Sequence, residues 1–239
     1  LLEIPCLFCW QTATLEILIT IFYCILFTWL VTKTTFFVQS TLGKSFLAGL
    51  FLIKLSAAFV YGIYFSQASL LPTSDSWNYF HLSIGETDWL LRDPIAFIKD
   101  IFTSGYHQSS NLFLEGNSYW NDLKSNVMIK IMAICNLFTF KNYYANAVLL
   151  NYMYFFGPVA VYRIFTHTSQ RNIPAVMAVF CIPSFLFWCS GAHKDGLLFT
   201  CIGLIVYFFN IQLKNRKLNY SYIFYSLLLI ALIFALRNF

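Results

Sequence analysis

The strongest constraint on this chain is a succession of apolar runs, each about as long as a bilayer is thick. Crossing ~30 Å of hydrocarbon takes roughly 20 apolar residues in a helix. Five runs reach about that length: residues 13–31, 45–65, 143–165, 173–190 and 196–212. A sixth, 220–236, is slightly shorter. A seventh, 127–140, has only 14 residues and carries Lys130 and Asn136. That length and polarity suit an interfacial or re-entrant helix better than a span. In hydrocarbon every backbone polar group must be satisfied within the protein, and a helix does this locally. The expected fold is therefore an all-α integral membrane protein with about six transmembrane helices, forming one transmembrane domain over 1–239.

Composition agrees. Hydrophobic residues make up 59% of the chain and charged residues 10%, and mean hydropathy is +0.67. A soluble domain is about 25% charged, so too few charges are present to cover a water-facing surface. The net charge of +5 lies mostly in short connectors, which makes it a topology signal and gives no basis for a nucleic-acid partner. Most of the seven cysteines lie inside apolar runs and behave as small hydrophobes. Cys6 and Cys9 form a C-x-x-C with no second pair. No basic segment precedes the first run, so no cleavable signal peptide is expected. The chain ends directly after an apolar run, which suggests truncation at the C-terminus.

The connectors set an orientation. Lys33 and Lys44, Arg163 and Arg171, and Lys214, Arg216 and Lys217 mark three basic connectors. All three are cytoplasmic, as the positive-inside rule asks, only if 127–140 does not cross. Residues 66–142 then form one large external loop, and 191–195 a second. Between 66 and 126 lie seven of the ten acids: Asp75, Glu86, Asp88, Asp93, Asp100, Glu115 and Asp122. Three bases accompany them, Arg92, Lys99 and Lys124. Trp77, Tyr79, Trp89, Tyr106, Tyr119 and Trp120 in the same loop suit short helices at headgroup level.

Two segments carry candidate chemistry. In the first, Asp75, Tyr79 and Ser83 fall on one helical face. Asp75 either caps that helix or stands at the membrane surface as a base or metal ligand. The second is Ser190-Gly191-Ala192-His193-Lys194-Asp195-Gly196. It reads either as a plain hairpin, with Asp195 as the next cap, or as a cluster of ionisable groups facing a cavity. Glu86 and Asp88 are close enough in sequence to share a cation, and are equally readable as solvated. His107 and His167 stand alone. Lys54 sits near the middle of the second run and either snorkels or marks a later start of that span. Pro158 and Pro183 lie within runs and are expected to kink them.

The order of these features resembles the C-type (GT-C) membrane glycosyltransferases, from about residue 45 to 210. There a first external loop opens with a D-x3-Y-x3-small pattern, as Asp75, Tyr79 and Ser83 do here. An apolar helix along the membrane and an "lfG" turn follow, similar to 126–139 with Phe140-Lys141-Asn142, although the usual paired prolines are absent. A span ending in a basic residue comes next, then one with a proline near its outer end, then an acidic second loop. Phe187-Trp188-Cys189-Ser190-Gly191-Ala192-His193-Lys194-Asp195 also resembles the FW-S-G-x-x-K-[DE] stretch of bacterial exopolysaccharide and O-antigen polymerase-like proteins.

The resemblance implies sugar transfer from a polyprenyl-phosphate donor to a glycan or lipid acceptor, on the outer face of a bacterial inner membrane. It implies Asp75 and Asp195 as catalytic groups, with Tyr79, His193 and Lys194 binding substrate. Hard cations such as Mg²⁺ or Mn²⁺ take oxygen ligands, and Asp75, Glu86 and Asp88 are the candidates for such a site. The competing classes are a polysaccharide polymerase, a transporter or lipid flippase, and a structural membrane subunit. A transporter would call for inverted halves and broken helices at the midplane, and no repeat is evident.

Topology is directly measurable. A reporter active only outside the cytoplasm should be active when fused after Ala192 and silent when fused after Asn215. The reverse pattern would make 127–140 a true span and separate Asp75 from Asp195 across the membrane.

Overall fold

The structure, a computed structural model, describes residues 7–102, 119–166, 172–216 and 218–237. Cys6, Tyr106, His107, Glu115, His167, Arg171 and Lys217, and the side chains of Cys9, Tyr119, Trp120 and Asp122, lie outside the described residues. Twelve α-helices follow in chain order among them. They are α1 (Leu7–Lys33), α2 (Thr35–Val38), α3 (Lys44–Phe65), α4 (Asp75–Arg92), α5 (Pro94–Lys99) and α6 (Tyr119–Thr139). Then come α7 (Tyr143–Tyr154), α8 (Phe156–Phe165), α9 (Ile173–Phe180), α10 (Pro183–Trp188), α11 (Lys194–Asn215) and α12 (Tyr220–Leu236). No strand occurs among the described residues.

Four segments are long and apolar enough to cross a membrane: Thr14–Lys33, Lys44–Phe65, Tyr143–Phe165 and Lys194–Asn215. The protein is a helical, multi-pass membrane protein. The surface shows why. Leu18, Phe22 and Ile25 of α1 are each about two-thirds exposed, as are many apolar side chains of α12. Meanwhile Lys54, Lys130, Asn136, Asn146 and Asn151 are buried. An apolar exterior over a polar interior is the arrangement a lipid solvent selects.

Two of the expected spans differ. Residues 173–190 are not one helix. Pro183 has no N–H to donate and forces Ile182 out of the helical region, to φ −69° and ψ 116°. The run therefore breaks into the short helices α9 and α10. Within Tyr143–Phe165, Pro158 also removes one backbone bond, and the helix jogs at Phe155 between α7 and α8. The Tyr154 carbonyl, which would have accepted from residue 158, accepts from the Thr200 hydroxyl at 3.0 Å. Gly157 makes that approach possible, since a Cβ there would stand 2.7 Å from Thr200 Cα. As expected for the shorter sixth run, 220–236 forms the 17-residue α12, which falls short of the four qualifying segments.

The described residues of 66–142 form a packed layer. The 127–140 run is part of the longer α6, which lies along α4. The polar residues that disqualified it as a span face its neighbours. Lys130 Nζ is 3.0 Å from both Glu86 and Asp100, and sits 4.1 Å from the Phe97 ring centroid. Asn136 donates to Ser83 and Thr87 of α4. Two consecutive left-handed residues, Phe140 and Lys141, then turn the chain into α7. Lys141 is anchored there by Asp88 at 2.7 Å.

Thr200→Val removes the donor to Tyr154 at nearly constant volume, which should cost about 1 kcal/mol. The thermal midpoint in detergent should fall for that variant and stay near the parent value for Thr200→Ser.

Candidate functional site

The two segments singled out in the sequence meet in space. A cleft of about 200 Å³ is lined by Tyr61 and Phe65 from the end of α3, by Ser74 and Asp75 at the start of α4, and by Trp188. His193, Lys194 and Asp195 at the start of α11 complete it. Asp75 and Asp195, far apart in sequence, thus share one opening.

Neither carboxylate caps its helix. Ser74 is the N-cap of α4, and its hydroxyl accepts from the Trp77 N–H. His193 is the N-cap of α11, and its Nδ1 accepts from the Asp195 N–H at 3.3 Å. The capping role that the sequence allowed for Asp75 and Asp195 falls in each case to a residue upstream. Both carboxylates are left at helix starts beside the cleft. Asp75 makes no ion pair and no side-chain hydrogen bond among the described residues.

The connector Cys189–His193 is held through its carbonyls. Lys54 Nζ donates to Cys189 O at 2.8 Å and to Ser190 Oγ at 3.1 Å. Asn151 donates to Ser190 O at 2.7 Å. The His193 N–H turns back to Gly191 O at 2.8 Å. Ser76 donates to Ala192 O at 3.2 Å, and Tyr154 to His193 O at 2.9 Å. Each of the five successive carbonyls has a donor. This overturns both sequence readings of Lys54: it neither snorkels nor precedes the span, but is 3% exposed and reaches into the connector. Gly191 is required here, because a Cβ would stand 2.7 Å from the Tyr61 ring.

The α4 start is fixed as firmly. The Trp77 indole donates to Gly62 O at 3.1 Å and stacks on Tyr143 with centroids 3.8 Å apart. Ser76 also bonds the Tyr143 hydroxyl at 2.6 Å. Tyr61, Phe65, Phe187 and Trp188 form a continuous aromatic wall, which leads from the cleft to the apolar exterior, where Trp188 is half exposed.

His193 is buried, and its Nε2 has no hydrogen-bond partner. Burial holds the imidazole below its usual value of 6.5, against the pull of Asp195 and Asp75. The ring is neutral at pH 7, with Nδ1 accepting and the proton on Nε2. The Asp195 carboxylate 3.7 Å from Nδ1 is therefore a neighbour of the ring, not an ion-pair partner.

The remaining sequence candidates lie elsewhere. Tyr79 is buried on α4 outside the cleft lining. Burial raises its phenol above the usual 10.0, opposed by a hydrogen bond with Ser125 of α6. Glu86 is paired with Lys130, and Asp88 with Lys141. Both lie roughly three turns or more along α4 from Asp75, which is about 16 Å or more at 1.5 Å per residue. The three carboxylates do not form one metal site. Among the described residues, no group of three or more His, Cys, Asp or Glu side chains could hold a metal ion. Asp75 and Asp195 could give a hard cation two oxygen ligands, with the rest drawn from substrate oxygens and water.

Sequence reasoning missed Asn151, Tyr154, Ser76 and Tyr61, which build the cleft without bearing charge. Comparison with known protein families, with curated proteins and with solved structures finds no match.

Below its usual value of 6.5 the unfolded chain protonates His193 while the folded protein resists, so acid should lower stability. The loss begins near that value and continues down to the folded pKa. His193→Asn keeps a capping acceptor and should remove this component, read as unfolding midpoints between about pH 8 and pH 5. An unchanged acid slope in the variant would contradict the assignment.

Proposed function

We propose that the protein is a membrane glycosyltransferase that takes a sugar from a polyprenyl-phosphate-linked donor and passes it to a hydroxyl of a glycan or lipid acceptor. The observation that carries this reading is the convergence of Asp75 with His193, Lys194 and Asp195 in one cleft. The cleft opens beside an aromatic wall that leads to the lipid-facing surface.

The chemistry follows from the groups. The acceptor hydroxyl attacks the anomeric carbon, and the bond from that carbon to the phosphate oxygen breaks. The bonding pair leaves with the polyprenyl phosphate, and the hydroxyl proton passes to a carboxylate. Asp75, unpaired and at the mouth, is the base. Leaving-group charge is met by the Lys194 ammonium, the Nε2–H of His193 and the positive ends of α4 and α11. Asp195 stands 3.7 Å from His193 Nδ1. Asp75 and Asp195 would be the residues to hold a divalent cation, which would supply Lewis-acid stabilisation of negative charge. The tail lies along Trp188 and Phe65, whose faces suit isoprenoid chains. The proposed location is a bacterial inner membrane with this cleft outside the cytoplasm, a reading supported by the basic connectors through the positive-inside rule.

The test supplies the purified chain with a panel of polyprenyl-phosphate sugars and measures release of free polyprenyl phosphate. Asp75→Asn should lower the rate by about 10²–10⁴-fold, and Lys194→Gln should also slow it, with thermal midpoints near the parent. Undiminished turnover in both Asp75→Asn and Asp195→Asn, or no donor consumed by the parent, would sink the proposal.

A further inference from the structure

The far end of α11, the connector between α2 and α3, and the end of α8 form a second polar cleft, of about 220 Å³, that the proposed transfer does not use. The connector before α3 supplies Gln39, α8 supplies Arg163, and α11 supplies Tyr207, Asn210 and Lys214. At 1.5 Å per residue, a 22-residue helix such as α11 separates the two clefts by about 30 Å.

Arg163 is the centre of this cleft. Its guanidinium lies between two rings, 4.8 Å from the Phe36 centroid and 4.9 Å from that of Tyr207. One amino group donates to Phe36 O at 3.1 Å and the other to Gln39 Oε1 at 3.4 Å. A guanidinium has five N–H donors in a rigid fork, so several remain. A simpler reading is that Arg163 serves the carbonyls at the end of its own helix. The contacts argue otherwise, since both hydrogen bonds run to the α2 segment.

Among the described residues, no carboxylate lines this cleft. The chain has no Asp or Glu between Glu16 and Asp75, between Asp122 and Asp195, or after Asp195. Glu16 belongs to the other end, where its carbonyl accepts from Asn142. Lys33, Lys44, Arg163, Lys214 and Arg216 are thus gathered in connectors and helix ends that hold no acid. The half-buried, ring-sandwiched Arg163 has no ion-pair partner among the described residues. Two amides add neutral donors: the Gln39 nitrogen and the Asn210 side chain make no hydrogen bond there.

We infer that this cleft binds the phosphoryl group of an anionic phospholipid from the leaflet at the basic end. Arg163 supplies the fork, Gln39 and Asn210 supply neutral donors, and Lys214 supplies a second charge. Arginine forks match phosphate oxygens bidentately, and basic pockets between helices at the membrane surface are suited to acidic headgroups. The volume is below the ~300 Å³ at which drug-sized pockets begin, which fits one phosphoryl group with part of a headgroup. The lipid's acyl chains would run along the exposed apolar faces of α11 and α12.

The test uses the full chain, delipidated in a neutral maltoside detergent. Short-chain phosphatidylglycerol, short-chain phosphatidylcholine and inorganic phosphate are titrated separately, with binding read by intrinsic fluorescence and thermal midpoint. Phosphatidylglycerol should bind and raise the midpoint, with the zwitterionic lipid and inorganic phosphate much weaker. Arg163→Lys keeps the charge but loses the fork, and should weaken phosphatidylglycerol about tenfold. Should that variant fail to fold, Asn210→Leu carries the same test, lowering affinity while leaving the unliganded midpoint in place. Inorganic phosphate binding as tightly as phosphatidylglycerol would reassign the cleft to a soluble phosphate and overturn the lipid. Equal binding of the two lipids, or unchanged affinity in both variants, would overturn the site.

Discussion

A carbonyl with no donor costs several kcal/mol away from water, and this constraint organises the molecule. The connector between α10 and α11 presents five successive carbonyls in non-helical geometry, next to two helices that face lipid. Lys54, Asn151, Ser76 and Tyr154 exist in the interior to answer four of them. They come from three helices distant in sequence, so the connector cannot form until α3, α4 and α7 have assembled around it. The same logic governs the proline jog in α7–α8, where Thr200 of α11 answers the carbonyl that Pro158 releases. The polar interior is a set of local solutions to backbone accounting, and the cleft is built on them.

One consequence is where the carboxylates stand. Capping is the usual occupation of an acid at a helix start. Here Ser74 and His193 take both caps, so Asp75 and Asp195 are placed by their helices without being consumed by them. The other described acids of the 66–142 segment are committed. Glu86 and Asp100 neutralise the buried Lys130, Asp88 holds the left-handed turn through Lys141, and Asp93 caps α5. Elimination by hydrogen bonding therefore separates Asp75 from its four described acidic neighbours, Glu86, Asp88, Asp93 and Asp100, better than spacing does.

Much of this was legible in the sequence and some was not, for physical reasons. Runs of apolar residues reveal helices that face lipid, and α1, α3, α7–α8 and α11 were found that way. The run 173–190 misled, because hydropathy is blind to the backbone bond that Pro183 cannot make. The 127–140 run is only part of α6; the helix begins earlier, where Ser125 bonds Tyr79 of α4 and Asn126 bonds Asp100. Asp75 and the His193–Asp195 cluster stood out as ionisable groups beside spans. Lys54 was visible as a charge in an apolar run, but its partner is a carbonyl from a distant connector, and no periodicity encodes that. Tyr79 shares a helical face with Asp75 in projection. Yet the first turn of α4 meets the α11 start while the second turn meets α6, so one face serves two neighbours.

The two ends of the bundle use charge in opposite ways, and this follows from one distribution along the chain. At the end bearing Asp75 and Asp195, acids and bases are mixed, most are paired, and the few uncommitted groups are of both signs. That mixture suits proton abstraction beside a developing anion. At the other end every charge is positive and no acid lies within the elements that form it. An end with that balance favours anions from outside the chain. Gly157 lets α8 approach Thr200 of α11, and the Thr200 hydroxyl bonds Tyr154 O of α7. Tyr154 in turn holds His193 O. One helix, α11, thus contributes to both clefts, its start held by neutral hydrogen bonds and its far end lined by Lys214.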